Sequence, residues 1–157
     1  MVSSILLGGD NIALGRPTIQ SSVYVSSYQS SKAVDGNKDG EILSELSCQH
    51  SASGDFNPWW QVDLEWMYDI TSITISNRYD NKEFTGERLS DVTVMVYDTD
   101  PTAGNPTSKL CIFIPGVFGC TVRTFECDEK TVGRFIRISK STVYLVMCEV
   151  EVTGIKQ

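Results

Sequence analysis

Hydrophobic and polar residues alternate along several short segments of this chain. In segment 70–78 (ITSITISNR) isoleucines alternate with Thr74 and Ser76, and in segment 91–98 (DVTVMVYD) three valines fall on one face. A period of two is typical of a strand with one buried face. Both segments are therefore predicted to be strands that cover a hydrophobic core.

Other short segments are rich in β-branched and aromatic residues and are bounded by Gly, Pro or charged turns. They are 18–25, 58–64 (PWWQVDL), 109–115 (KLCIFIP), 121–127 (TVRTFEC), 133–140 (GRFIRISK) and 145–154 (LVMCEVEVTG). The first is expected to be an edge strand, and the tryptophan segment is expected to be a strand separate from 70–78. No segment has a 3.6-residue apolar stripe, so little helix is expected. About eight such strands predict an all-β antiparallel sandwich or jelly roll, with functional residues on the loops at its ends.

The length and charge narrow the functional classes. A chain of 157 residues fits one domain, and a formal net charge of -7 argues against nucleic acid or an anionic membrane as a partner. Residues 1–10 contain only a three-residue apolar block, which is shorter than a signal-peptide core of about 7 to 15 residues. We expect 1–10 to be a leader remnant or residues added for expression, and 11–157 to be a single domain without membrane insertion.

Cysteine usage suggests an oxidising compartment. The chain has five cysteines: Cys48, Cys111, Cys120, Cys127 and Cys148. No two of them form a CxxC motif, and only one histidine is present, so a zinc site is not expected. Two disulfides and one free thiol are expected in a secreted protein. Spacing alone does not choose among the pairings, and a reduced intracellular protein with five thiols is the alternative.

The segment from Cys48 to Arg88 contains several polar side chains that could bind one small ligand. It contains the histidine, His50, together with Arg78, Asp80 and Arg88. Two guanidiniums and an imidazole can form a rigid fan of donors for the hydroxyls of a small sugar, while Asp80 would hold an arginine in place. A lone histidine or an Arg-x-Asp pair is more often structural, so the hypothesis depends on their combination with the surrounding motifs.

Those motifs resemble the F-type lectins, a fucose-binding family with a discoidin-like jelly roll. The matching segments, which extend over nearly the whole chain, are NIALGRPTIQSS (11–22), AVDGN (33–37), SCQH (47–50), NPWWQVDL (57–64), ITISNRYD (73–80), ERLSD (87–91), GRFIRI (133–138) and MCEVEV (147–152). The resemblance implies a non-enzymatic lectin in which His50, Arg78 and Arg88 bind L-fucose. Trp59 and Trp60 are then interpreted as core residues of the scaffold.

One loop departs from the family pattern. Seven residues, NKEFTGE, separate Asp80 from Arg88, where the family usually has about four with two adjacent cysteines that form an apolar patch. Phe84 is predicted to replace that patch, because an aromatic face packs well on the C–H surface of a sugar. Tyr24 and Tyr28 either line the site or are ordinary packing and surface residues.

The resemblance also implies a structural calcium ion and two disulfides. The implied calcium ligands are the carbonyls of Lys32 and Cys148 and the side chains of Asp35, Asn37, Ser47 and Glu149. The implied disulfides are Cys48–Cys148 and Cys111–Cys127, the second of which would close a hairpin and leave Cys120 free.

The expected partners are glycans or glycoproteins that carry L-fucose, with homo-oligomers or tandem repeats as a plausible context. A discoidin-like adhesion module that binds protein or lipid without sugar specificity is the alternative. A glycoside hydrolase is a third hypothesis, but no pair of carboxylates stands in a recognisable catalytic setting.

Overall fold

The computed structural model describes residues 9–41, 46–79 and 85–157. Within these ranges the chain forms nine strands: β1 Thr18–Gln20, β2 Gln49–His50, β3 Trp59–Ser76, β4 Ser90–Tyr97, β5 Ser108–Val117, β6 Val122–Glu126, β7 Val132–Ser139, β8 Val146–Met147 and β9 Glu149–Lys156. The only helical segments described are two short 3-10 turns, Ser30–Val34 and Gly86–Arg88. All strand pairs are antiparallel, which confirms the predicted all-β fold. No helix in the described ranges is long and apolar enough to cross a membrane.

Strand β3 belongs to both layers of the sandwich. Its first half pairs with β1 and β7 in the layer β1-β3-β7-β4-β5, and its second half lies between β6 and β9. The register shifts between Asp63 and Tyr68, where Glu65 adopts a φ of 69° and donates its amide to Asp63 Oδ1. The prediction of two separate strands here is wrong, because backbone pairing continues across this irregularity.

The apolar faces of β3, β4, β7 and β9 form one buried core. Trp60 is fully buried in it and donates its indole N–H to the Ser30 carbonyl at 2.9 Å. Trp59 points to the opposite face, where the Arg137 guanidinium lies 3.9 Å from its ring centroid. The scaffold interpretation is therefore correct for both residues, but the core placement holds for Trp60 alone, since neighbouring residues of a strand face opposite ways.

Strand β1 is shorter than the predicted strand 18–25. After Gln20 the chain leaves β3 and pairs with His50 instead: the Tyr24 amide donates to the His50 carbonyl at 2.9 Å, and the His50 amide donates to the Tyr28 carbonyl at 3.2 Å. These two bonds place both tyrosines beside the histidine.

Both implied disulfides form, and Cys120 is the free cysteine. Cys111–Cys127 does not close a hairpin, however. Cys111 lies on β5, at the edge of the larger layer, whereas β6 pairs with β3 and the Cys127 amide donates to Thr71 of β3. This disulfide therefore joins the two layers.

Candidate functional site

A polar pocket at one end of the sandwich is lined by Tyr24, Tyr28, His50, Arg78 and Arg88. The tyrosines come from the segment after β1, and the histidine comes from β2. Arg78 follows β3, and Arg88 ends the 3-10 turn before β4. The structure thus brings together the three residues predicted from the sequence, and it places both tyrosines on the pocket wall.

His50 is held in one orientation and in its neutral form. Its Nδ1 lies 2.7 Å from the Ser51 carbonyl, which can only accept, so Nδ1 carries the proton. Its Nε2 then accepts from Arg88 Nη1 at 3.3 Å. Burial lowers the pKa of His50 to about 4, and the charges of Arg88 and Arg78 act in the same direction, against the hydrogen bond to Ser51. The nitrogen of His50 that faces the pocket is therefore an acceptor, occupied here by Arg88, rather than the donor expected from the sequence, and the arginines supply the donors.

Three tyrosine rings surround the imidazole. The centroid of His50 lies 4.8 Å from that of Tyr24, 5.9 Å from that of Tyr28 and 5.2 Å from that of Tyr144. The Arg88 guanidinium stacks on Tyr144, 4.6 Å from the ring centroid. Such contacts fix the long arginine side chain and exclude water from one of its faces.

Tyr144 has no part in the sequence hypothesis. It belongs to no motif, and its position becomes apparent only from strand pairing, because β2 pairs with β8 and His50 lies opposite Val146. The implied Cys48–Cys148 disulfide is the one sequence signal that could have placed 144–148 beside 48–50.

Asn77 links the backbones that carry the two arginines. Its side-chain carbonyl accepts the Arg78 amide at 2.7 Å, and its amide group donates to the Gly86 carbonyl at 2.8 Å and the Gly119 carbonyl at 2.6 Å. Gly86 begins the turn that ends at Arg88. One buried side chain therefore fixes the spacing of Arg78 and Arg88, and sequence reasoning missed it.

The Cys48–Cys148 disulfide forms the support beneath the pocket. Both cysteines are fully buried and cluster with Val146, and Tyr28 and Tyr144 pack against this cluster. The covalent link therefore lies directly behind two of the pocket rings.

Two predicted pocket residues, Asp80 and Phe84, lie outside the described residues. Their roles stay predictions. Arg78, which lies two residues before Asp80, is itself almost fully buried at 6% exposure.

The predicted cation ligands come from three segments that pack together. The 3-10 turn Ser30–Val34, which contains Lys32, contacts both β2 and β9. In the loop that follows, Asp35 Oδ1 accepts the Asn37 amide at 2.9 Å, and the main chain of that loop accepts a hydrogen bond from Ser47 Oγ. Cys148 immediately precedes Glu149, the first residue of β9.

Glu149 is the clearest sign of a ligand site in this region. It is fully buried, and no described group donates a well-formed hydrogen bond to either carboxylate oxygen. Burial, followed by the neighbouring charge of Asp35, raises its pKa to about 8, and the Gly36 and Val150 amides offset only part of that rise. Buried carboxylate oxygens that lack a well-formed donor suit a hard cation, which would draw its remaining ligands from carbonyl, amide and hydroxyl oxygens. Among the described residues no group of three or more His, Cys, Asp or Glu side chains is placed to hold a metal. The predicted ligand set has two carboxylates, Asp35 and Glu149, and takes its other oxygens from carbonyl, amide and hydroxyl groups.

The chain is similar to known proteins in both sequence and structure. A family profile described as NedA-like, galactose-binding domain matches residues 32–138. Fucolectin-1 of Anguilla japonica is 37% identical over 126 residues, which are 78% of this chain and 66% of that protein, so the chain spans slightly less than two thirds of this relative. The fucolectin of Anguilla anguilla is 35% identical over 150 residues, with 91% of this chain and 90% of that protein covered.

A solved structure extends the relationship to three dimensions. A fucose-binding module of Streptococcus pneumoniae superposes with a TM-score of 0.75 at 34% identity, covering 94% of this chain and 96% of that chain. These relatives are named as lectins and as a fucose-binding module. Because the similarity spans most of the chain in both sequence and structure, the chain belongs to the fucolectin family, the F-type lectins with a discoidin-like jelly-roll fold.

Proposed function

We propose that this protein is a lectin that binds terminal L-fucose on glycans or glycoproteins through the pocket of His50, Arg78 and Arg88. One observation carries the proposal: a neutral imidazole and two guanidiniums converge in a pocket walled by tyrosine rings. The names of the eel fucolectins and of the pneumococcal fucose-binding module support the choice of sugar.

The chemistry of the pocket matches a sugar with neighbouring hydroxyls. Arg78 and Arg88 each offer several N–H donors in a planar fork, which suits adjacent hydroxyl and ring oxygens. His50 Nε2 is an acceptor that Arg88 Nη1 occupies in the free pocket. A sugar hydroxyl would donate to Nε2 in place of Arg88, and the oxygen of that hydroxyl would accept from an arginine. Tyr24 and Tyr28 offer ring faces to the C–H surface of the sugar, and we assign the methyl group to Phe84.

The proposal is tested by calorimetric titration with methyl α-L-fucoside, with methyl α-D-glucoside as the control sugar. Wild type is expected to bind the fucoside alone, and His50→Ala and Arg78→Ala are expected to lose the heat. Arg134→Ala is the matched control, since Arg134 pairs with Asp63 at 2.7 Å on the outer face of the larger layer. Absence of heat with wild type would contradict the proposal and favour an adhesion module without sugar specificity.

A structural calcium ion is the second part of the proposal. The carbonyls of Lys32 and Cys148 and the side chains of Asp35, Asn37, Ser47 and Glu149 would hold it, and the ion would neutralise the Asp35–Glu149 pair. The unpaired oxygens of Glu149 support this assignment.

We further propose that the protein is secreted and acts as an oligomer or a tandem array. The two disulfides fit an oxidising compartment. A small pocket makes few contacts with one sugar, and joining several pockets raises avidity by about 100-fold or more without any new contact.

A further inference from the structure

Lys140 is a buried lysine behind the sugar pocket. It follows β7 and is 6% exposed. Its ammonium donates to the Arg88 carbonyl and to the Tyr144 carbonyl at 3.1 Å, with the Val143 carbonyl and Ser90 Oγ at the outer limit of 3.5 Å. No carboxylate of the described residues forms an ion pair with it, so backbone carbonyls and a hydroxyl replace its water shell.

The two nearer carbonyls belong to residues whose side chains also meet. The Arg88 guanidinium stacks 4.6 Å from the Tyr144 ring centroid, and its Nη1 donates to His50 Nε2. Arg88 and Tyr144 are far apart in the sequence, and within the described residues no backbone hydrogen bond joins them directly. The Lys140 ammonium therefore makes the polar link between their main chains.

We propose that Lys140 is a positioning residue for the sugar pocket: by joining the main chains of Arg88 and Tyr144 it holds the Arg88 guanidinium on the Tyr144 ring, pointed at the ligand. A buried cation is costly to desolvate, and an apolar side chain of similar length would fill the same space at lower cost. An apolar residue could not donate hydrogen bonds to the Arg88 and Tyr144 carbonyls, and this is the role that we assign to Lys140.

The strength of the hydrogen bonds from Lys140 to the two carbonyls depends on pH, because it depends on the charge of the ammonium group. Burial lowers its pKa to about 8, and the charge of Asp91 on β4 offsets part of that effect. The other ionisable side chains on the segments that contact Lys140 are Glu87 and Arg88 of the 3-10 turn and the Tyr144 phenol. A neutral amine donates more weakly to carbonyls, so the link loosens as the pH rises through about 8.

The first test needs no sugar. Carbon-detected NMR of the Arg88 guanidinium, assigned through its loss in Arg88→Lys, reports rotation about the Nε–Cζ bond. In Lys140→Met this rotation is expected to speed up at least severalfold, while Lys109→Met leaves it unchanged. Lys109 is the matched control because its ammonium also donates to a carbonyl, that of Glu129 at 2.7 Å, on the exposed surface. An unchanged Arg88 signal in a folded Lys140→Met protein would overturn the proposal.

A second readout covers the case in which Lys140→Met does not fold. In the wild-type sequence the Arg88 rotation is expected to speed up as the pH rises through about 8. Because Cys120 Sγ packs against Gly86, which lies in the same 3-10 turn as Arg88, the titration uses a Cys120→Ser background. Rotation that is constant from pH 6.5 to 9.5 would equally overturn the proposal.

The consequence for binding rests on the proposed function. Affinity for methyl α-L-fucoside is expected to be about tenfold weaker in Lys140→Met than in Lys109→Met, which is the size of one charge-assisted hydrogen bond. Failure of wild type to bind the fucoside would reject the proposed function, whereas the Arg88 signal decides the role of Lys140 in either case.

Discussion

At the residue scale, the single histidine of the chain is the most informative probe of the pocket. Its burial and the two arginines beside it keep the imidazole neutral, with the proton on Nδ1. A base whose pKa is lower in the folded state binds fewer protons than the unfolded chain between the two pKa values. The stability that depends on neutral His50 is therefore present above about pH 6.5 and is lost as the pH falls toward 4.

This state of His50 can be measured directly. A nitrogen–proton NMR titration is expected to show an Nδ1–H tautomer at pH 7 and a midpoint near 4, provided that the protein stays folded. Only one histidine contributes, so the assignment is unambiguous. A midpoint near the ordinary value of about 6.5, or an Nε2–H tautomer, would contradict the pocket geometry.

Tyr144 gives a second prediction at this scale. Tyr144→Phe keeps the ring under Arg88 and is expected to bind the fucoside within about twofold of wild type, while Tyr144→Leu is expected to bind about five- to tenfold more weakly, the size of one partly buried cation–π contact. Calorimetry on both variants checks this. Equal affinities for the two variants would show that the ring does not orient Arg88.

Individual residues differed in how far the sequence could identify them. The resemblance of the motif segments predicts that His50, Arg78 and Arg88 share one site, and the three side chains do line one pocket. Asn77 and Lys140 were not identified, because both act on main-chain carbonyls that come together only through strand pairing. The tautomer of His50 could not be predicted from the sequence either, because it depends on where the Ser51 carbonyl lies.

At the element scale, the alternation of apolar and polar positions predicted β4, β7 and β9 well, because each has one face in the core. The pattern could not reveal that β3 runs through both layers, since the bulge between Asp63 and Tyr68 breaks the alternation without ending the pairing. It also overextended β1, whose continuation pairs with His50.

The two disulfides act on different elements and should have separable effects. Cys48–Cys148 spans 100 residues and Cys111–Cys127 spans 16. In the chain-entropy picture, removing the first by double alanine substitution lowers the free energy of unfolding by about 4–5 kcal/mol, and removing the second lowers it by about 3 kcal/mol.

Affinity for the fucoside distinguishes the two disulfides more sharply than the free energy of unfolding does. Cys48–Cys148 supports Tyr28 and Tyr144, so its removal is expected to weaken fucoside binding, whereas the layer-joining disulfide should leave the affinity of the folded protein unchanged. Denaturant unfolding and calorimetry on both double variants provide the measurements. The reverse order of effects on affinity would contradict the assigned support of the pocket.

At the scale of the whole molecule, the proposed calcium ion would join the loop after Val34 to the start of β9 and thereby support the pocket end of the sandwich. A ligand that binds only the folded state stabilises it by about 2.7 kcal/mol at 100 times its Kd. Adding calcium to chelator-treated protein is expected to raise the Tm by about 5–10 °C at such a concentration.

The response to calcium should depend on one carboxylate. Glu149→Gln is expected to abolish the rise in Tm, and Glu151→Gln should retain it, since Glu151 pairs with Lys38 at 2.9 Å and lies outside the predicted ligand set. Thermal unfolding with calcium and with chelator measures both. A wild-type Tm that does not change with calcium would contradict the proposed structural calcium ion.

The position of the sugar site is measured most directly by NMR shift mapping of labelled protein during titration with methyl α-L-fucoside. Saturable shifts are expected on the His50 ring and on the guanidinium signals of Arg78 and Arg88, with little change at Arg134 on the outer sheet face. Saturable binding that leaves these three pocket residues unshifted, or no shift at millimolar sugar, would contradict this site.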